Sequence, residues 1–343
     1  MEHAFGRKTS LLTLLFTVLL MMWALPCSAI AATSAIVDTA YVIDAQKRNA
    51  IIWDTRSATM YKQGHIPGAI NIGDIGQELR DENREDYIAL AKIEKILGDA
   101  GIDTSREIVV YGLKGNPVVY FGLVTLQYFN APNARIYHGG IDDWKAAGQI
   151  VATEPSKLAP IALRIRVRPE RLVDTAEVVR KLKDPKVQIV DARTPEEYRG
   201  EDIRAIRGGH IPGAIPIHYM ENWVDPETPA KLEKKLVNTK DGMDLKPRKE
   251  LLALYSKLDP DKETIVYCQS GIRASETATV LAEIGFKNVR VYDSSWIGCG
   301  STLDAPAEDV TFFNVGNMQG KLNAMQKRID NLEKELAAAK PAK

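Results

Sequence analysis

Gly64-His65-Ile66-Pro67-Gly68-Ala69-Ile70 returns unchanged as Gly209-His210-Ile211-Pro212-Gly213-Ala214-Ile215, and this recurrence decides the fold. Upstream of each copy, Ile51-Ile52-Trp53-Asp54-Thr55-Arg56 answers to Ile189-Val190-Asp191-Ala192-Arg193. Downstream, Ile108-Val109-Val110-Tyr111 matches Ile265-Val266-Tyr267, and Arg135-Ile136-Tyr137 matches Arg290-Val291-Tyr292. Four blocks repeated in one order mark a duplicated unit. Within each copy, short runs rich in Ile and Val alternate with segments of helical period, which predicts βα units on a parallel sheet buried on both faces. The chain is therefore expected to be α/β, with one domain over residues 36–150 and a second over 169–308. Residues 151–168 carry Pro155, Lys157 and Pro160 without helical period and are expected to form a surface linker.

The bulk composition fits this division. A chain of 343 residues with 45% apolar content accommodates two ordinary domains and attachments. Its 45 basic and 45 acidic residues balance, so no overall field draws it to nucleic acid or to an anionic membrane. At the N-terminus, Arg7 and Lys8 precede an apolar run from Leu11 to Leu25, and Ala29-Ile30-Ala31 offers small residues for cleavage. Residues 1–32 thus read as a signal peptide delivering the chain to the periplasm. The run is shorter than the roughly 20 residues a bilayer span needs, so no span is expected in the mature chain, a retained anchor being the alternative. Cys27 follows Ala24-Leu25-Pro26, a poor lipobox. Removing the signal leaves only Cys268 and Cys299, too few for a disulfide framework.

After Pro306 the pattern changes. Val315, Met318, Leu322, Met325, Ile329, Leu332 and Leu336 alternate spacings of three and four, the a and d positions of a heptad, and predict a coiled-coil helix over 312–339. Arg328 falls at g and Glu333 at the following e, where a parallel partner helix would bring opposite charges together. Self-association into a homo-oligomer through residues 315–336 is expected; an amphipathic helix docked on its own domain is the alternative.

Thr264 to Tyr267 reads as a buried strand, and Ala274 to Ile284 as a helix closed by Gly285. The loop Cys268-Gln269-Ser270-Gly271-Ile272-Arg273 joins them. Backbone N–H groups of such a loop converge on one point while the helix start adds positive potential, so an anion is stabilised there. A helix start beside arginine favours thiolate over thiol, and the thiolate is the nucleophile. The same dipoles stabilise a persulfide once the thiolate has taken a sulfane sulfur, which splits transfer into two steps through a covalent intermediate.

Asp191-Ala192-Arg193, the span from Gly209 to Ala214, the loop CQSGIRA and Tyr292-Asp293-Ser294-Ser295-Trp296 together resemble a catalytic rhodanese domain, over about residues 38 to 310 of the chain. The resemblance implies two tandem rhodanese-like domains, each a parallel sheet flanked by helices, and a sulfurtransferase that moves sulfane sulfur through a Cys268 persulfide. The donor it implies is thiosulfate or 3-mercaptopyruvate, and the acceptor a thiol or cyanide. Gly112 stands at the Cys268 position of the first repeat, so the first domain is expected to be non-catalytic. The C-x4-R spacing from Cys268 to Arg273 is narrower than the C-x5-R cradle of related phosphatases and suits sulfur. No metal and no cofactor are called for.

Gln269, Ser270, Gly271, Ile272 and Arg273 are the expected substrate-binding residues of the loop, although Arg273 could equally fix the loop by bonding its carbonyls. Glu201 to Arg207 is an insertion absent from the first repeat, and the resemblance makes its Arg204 and Arg207 candidates for an anionic donor. Asp191 and Arg193 are expected to secure loops. His65 and His210 recur in both domains, one of which lacks the cysteine, which points to a structural role. Trp296 is expected to be partly buried near the cleft. Cys299 replaces a tryptophan found at the matching Trp144, and reads as a resolving thiol or as a small buried apolar residue. A scaffold component of an envelope complex is the competing function; the retained Cys268 loop argues against it.

Overall fold

The computed structural model describes residues 34–83 and 86–339; the expected signal peptide, 1–32, and Cys27 lie outside them. In the first repeat, β1 (Ile36–Val37), β2 (Ile51–Asp54), β3 (Ile70–Asn71), β4 (Ile108–Tyr111) and β5 (Ala134–Tyr137) form a parallel sheet of order β1-β5-β4-β2-β3. In the second, β6 (Leu172–Val173), β7 (Val187–Asp191), β9 (Ile215–Pro216), β10 (Glu263–Tyr267) and β11 (Asn288–Tyr292) repeat it as β6-β11-β10-β7-β9. The central strands are apolar on both faces because helices cover both: Val110 and Val266 pack into one layer, Val109 and Ile265 into the other.

The recurrent motif is held identically in each domain. Asp54 and Asp191, at the carboxyl ends of β2 and β7, form buried ion pairs with Arg56 and Arg193. Each arginine also donates to a motif carbonyl, Gly64 O or Gly209 O, and Tyr111 and Tyr267 bridge the aspartate to the next motif amide. Identical sequence therefore reflects an identical structural lock, and the loop-securing role expected of Asp191 and Arg193 follows from it.

The helix Val118–Tyr128 is apolar all round, since one face covers its own sheet and the other packs on the helix Ile272–Ile284 of the second domain. Val124 joins the second domain's core and Ile272 packs on the first domain's. Residues 153–168 form no regular element, but they are strapped down: Leu163 and Ile165 are buried in the first core, and Arg168 N–H donates to Tyr128 O.

Two expectations change at the C-terminal end. The strand β12 (Glu308–Phe312) pairs antiparallel with β8 (Arg207–His210), forming a ribbon outside the main sheet. A domain end at 308 therefore cuts a strand; exposed, acidic Glu308 and Asp309 give no strand pattern. The helix that follows, Val315–Ala339, is about 37 Å long. Its described side chains from Val315 to Ala338 are all exposed, which rules out the docked alternative.

Candidate active site

Cys268 sits where β10 ends, between β7 and β11, with 1% of its surface exposed. Its backbone is clamped from the following turn. Cys268 N–H donates to Ser295 Oγ (3.1 Å), Ser295 Oγ donates to Tyr292 O (2.6 Å), and Trp296 N–H donates to Cys268 O (3.0 Å). Ser295 adopts φ 50°, a left-handed conformation that a non-glycine residue holds only when its surroundings impose it. Its counterpart in the first domain is Gly140, φ 55°, whose neighbour Ile141 donates to Gly112 O as Trp296 does to Cys268 O. Serine takes a glycine's place only in the copy with the cysteine, where its hydroxyl anchors the Cys268 amide.

Gly271 has φ 81°, and a Cβ there would fall 2.8 Å from Asp293 O, so glycine is required. It leads into the helix Ile272–Ile284, which begins two residues earlier than expected, with Arg273 in its first turn. The first amide to enter that helix's ladder is Ser275 N–H, on Gly271 O. Between the Cys268 amide, taken by Ser295 Oγ, and Ser275, the N–H groups of the loop and first turn lie outside the helix ladder and are available to an anion.

A cavity of about 330 Å³ opens over Cys268, lined among others by Thr194, Arg204, His218, Tyr219, Gln269, Ser270, Ile272 and Arg273. Arg273 makes a bidentate pair with Glu197, at 2.6 and 2.8 Å, instead of bonding loop carbonyls. Burial pushes the Glu197 carboxyl upward, but the Arg273 hydrogen bonds and charge outweigh it and hold the group at about 2. Burial likewise works against the Arg273 charge; the Glu197 bonds and the field of the Cys268 sulfur more than restore it. Arg204, half exposed, reaches Glu197 at 3.3 Å and leaves its guanidinium largely open to the cavity. Gln269 Nε2 donates to Arg204 O, tying the insertion to the loop.

The first domain supports the loop from outside. Arg80 donates to Ser270 O and pairs with Asp293. A second groove of about 820 Å³, bordered by Asp74, Gln77 and Arg80 on one side and Arg204, Ser270 and Ile272 on the other, adjoins the cavity. The first domain's own loop has no room for a nucleophile: a Cβ on Gly112 would lie 2.8 Å from Val119 Cγ2 and 2.9 Å from Thr55 Oγ1. Lys114 pins that loop to Asp143 and to Asp244 of the second domain.

Some expected residues sit elsewhere. Arg207 is not free for a substrate: its guanidinium is buried and donates to the carbonyls of Cys299, Thr302, Leu303 and Ala305, closing the turn after the helix Ser295–Ser301. Trp296 is 1% exposed rather than partly buried, with Nε1 on Arg207 O and the Arg193 guanidinium 4.6 Å above its ring. His65 and His210 stack on Tyr61 and Tyr198 and bond their carbonyls, as a structural role requires. Cys299 is buried in the core, and burial pushes its thiol up.

Three site residues escaped sequence reasoning: Glu197, Arg80 and His218. For His218 a signal existed. It follows β9 by two residues, the first repeat has Gly73 at the same offset, and so the histidine stands only in the copy with the cysteine.

Comparison with known proteins agrees with this architecture. The model of the rhodanese-like domain matches residues 38–147 and again 174–299. The chain is 33% identical to the thiosulfate sulfurtransferase of Corynebacterium glutamicum over 272 residues, covering 75% of this chain and 84% of that protein. It is 32% identical to the sulfur carrier protein TtuD of Thermus thermophilus, covering 72% and 86% respectively. Among solved structures, the anaerobic ergothioneine biosynthesis enzyme from Chlorobium limicola shares the fold with TM-score 0.68 and 23% identity, over 80% of this chain and 70% of that one.

Proposed function

The chain belongs to the rhodanese family and is a sulfurtransferase, and from that premise we propose that Cys268 carries the transferred sulfur as a persulfide, with thiosulfate as donor and a small thiol or cyanide as acceptor. The observation that carries this is the position of Cys268 at the floor of a cavity whose wall bears Arg204 and Arg273. In the first step the Cys268 sulfur attacks the outer sulfur of thiosulfate, that S–S bond breaks, and sulfite leaves. Unused amides of the loop and the Arg204 charge favour both the dianionic donor and the anionic persulfide. In the second step the acceptor attacks the outer sulfur and Cys268 departs as thiolate. Arg273 holds the helix start through Glu197, and Gln269, Ser270, Gly271 and Ile272 shape the rest of the cradle.

Thiosulfate is chosen because the Corynebacterium relative is named for it and because a cationic wall suits a small dianion. Turnover of thiosulfate and cyanide to thiocyanate is expected from the protein and not from Cys268→Ala. Equal signal from the two proteins would sink the proposal, and turnover of 3-mercaptopyruvate alone would replace the donor.

The proposal extends to location and assembly. Arg7, Lys8 and the apolar run from Leu11 to Leu25 support export to the periplasm with loss of residues 1–32; recovery of only uncut chain would contradict it. The exposed heptad stripe of the helix Val315–Ala339 supports association with a second copy in parallel. Arg328 at g would face Glu333 at e of the partner. Val315 and Ile329 at a with Leu332 at d favour two strands.

A further inference from the structure

His218 lies at the carboxyl side of β9 and lines the cavity above Cys268. Of the four described histidines, His65, His138 and His210 each spend a ring nitrogen on a backbone carbonyl. His218 makes no such bond: its Nε2, like that of His65, is buried without a partner, and unlike His65 it has no carbonyl on its other nitrogen, its ring meeting the edge of Tyr219 at 5.0 Å. Packing alone does not explain an uncommitted imidazole there, because a buried polar atom left unpaired costs stability that an apolar residue would not lose.

We propose that His218 is the general base for the acceptor step, taking the proton from a thiol acceptor as its sulfur attacks the Cys268 persulfide. This rests on the persulfide reading above. The acceptor S–H gives its proton to a His218 ring nitrogen, and the acceptor sulfur bonds to the outer sulfur. The bond between that sulfur and Cys268 Sγ breaks, its electron pair leaving on Cys268 as thiolate. The proton then passes from His218 to the persulfide product or to solvent, so no oxidant or reductant is consumed.

The electrostatic setting favours an imidazole that is neutral and ready to accept. Burial lowers the His218 pKa first and the Arg273 charge next, while Glu221, Glu197 and Glu196 oppose them. Arg204 adds a further positive group on the same cavity. The base is needed because a free thiol is only a few per cent ionised near neutral pH.

The test uses full-length protein loaded with thiosulfate, then single-turnover discharge to 2-mercaptoethanol or to sulfite, of which, unlike a thiol, a substantial share is already deprotonated near neutral pH. His218→Ala and His218→Gln are expected to gain sulfur as the parent does. Their discharge to 2-mercaptoethanol is expected to be about tenfold slower near pH 7, with the deficit closing toward pH 9 as the thiol ionises unaided. Discharge to sulfite is expected to change by less than about twofold. Equal loss with both acceptors, no loss with either, or failure of both variants to load would each overturn the role. Failure of the unsubstituted protein to load would instead refute the persulfide itself.

Discussion

Glu276 carries a carboxyl into the core of the second domain, where Oε1 accepts from Trp223 Nε1 and Oε2 has no partner. Burial pushes it from 4.5 up to about 8, the Trp223 bond opposing only in part. Below about pH 4.5 the group is protonated whether the chain is folded or not, and its contribution is intact. As pH rises toward about 8 the unfolded chain releases the proton first, so stability falls across that window. Glu276→Gln keeps the acceptor and cannot ionise. Urea unfolding of the two proteins at about pH 5 and about pH 8 should show the parent losing up to a few kcal/mol relative to the variant; parallel losses would contradict the neutral carboxyl. Residue-level roles divided sharply in their legibility. Cys268 announced itself by its place between a strand pattern and a helix start. Glu197 lies 76 residues from the Arg273 it holds, and Arg80 lies 213 from Asp293, pairings that no local pattern encodes.

At the scale of elements, β-branched runs marked the core strands because burial on both faces leaves them no polar positions. The ribbon of β8 and β12 was not legible, since β12 is exposed throughout, the buried β8 is polar and glycine-rich, and Arg207 looked like a surface cation until its carbonyl partners were seen. The helix Val315–Ala339 was legible from its heptads alone, and its exposure, from 40% at Met318 to 69% at Val315, leaves the stripe open for a second copy. Equilibrium sedimentation of the full chain is expected to give twice the chain mass, and deletion of residues 315–343 to give the single-chain mass. A full chain already monomeric, or a deletion that stays dimeric, would contradict the paired helix.

At the scale of the whole molecule, the two repeats share one scaffold, and only the second carries a cysteine at the end of its central strand, where the first has Gly112. The first domain fills its own loop with Gly112 and the Lys114 ion pairs and lends Arg80 to the other. Sequence comparison of the two repeats predicted this asymmetry; the interdomain support came only with the fold. We propose that each chain carries one sulfur, on Cys268. Intact-mass spectrometry after thiosulfate, with peptide mapping, tests it most directly. A single gain of about 32 Da on the Cys268 peptide, absent from Cys268→Ala, is predicted; no gain, or the same gain in Cys268→Ala, would contradict it.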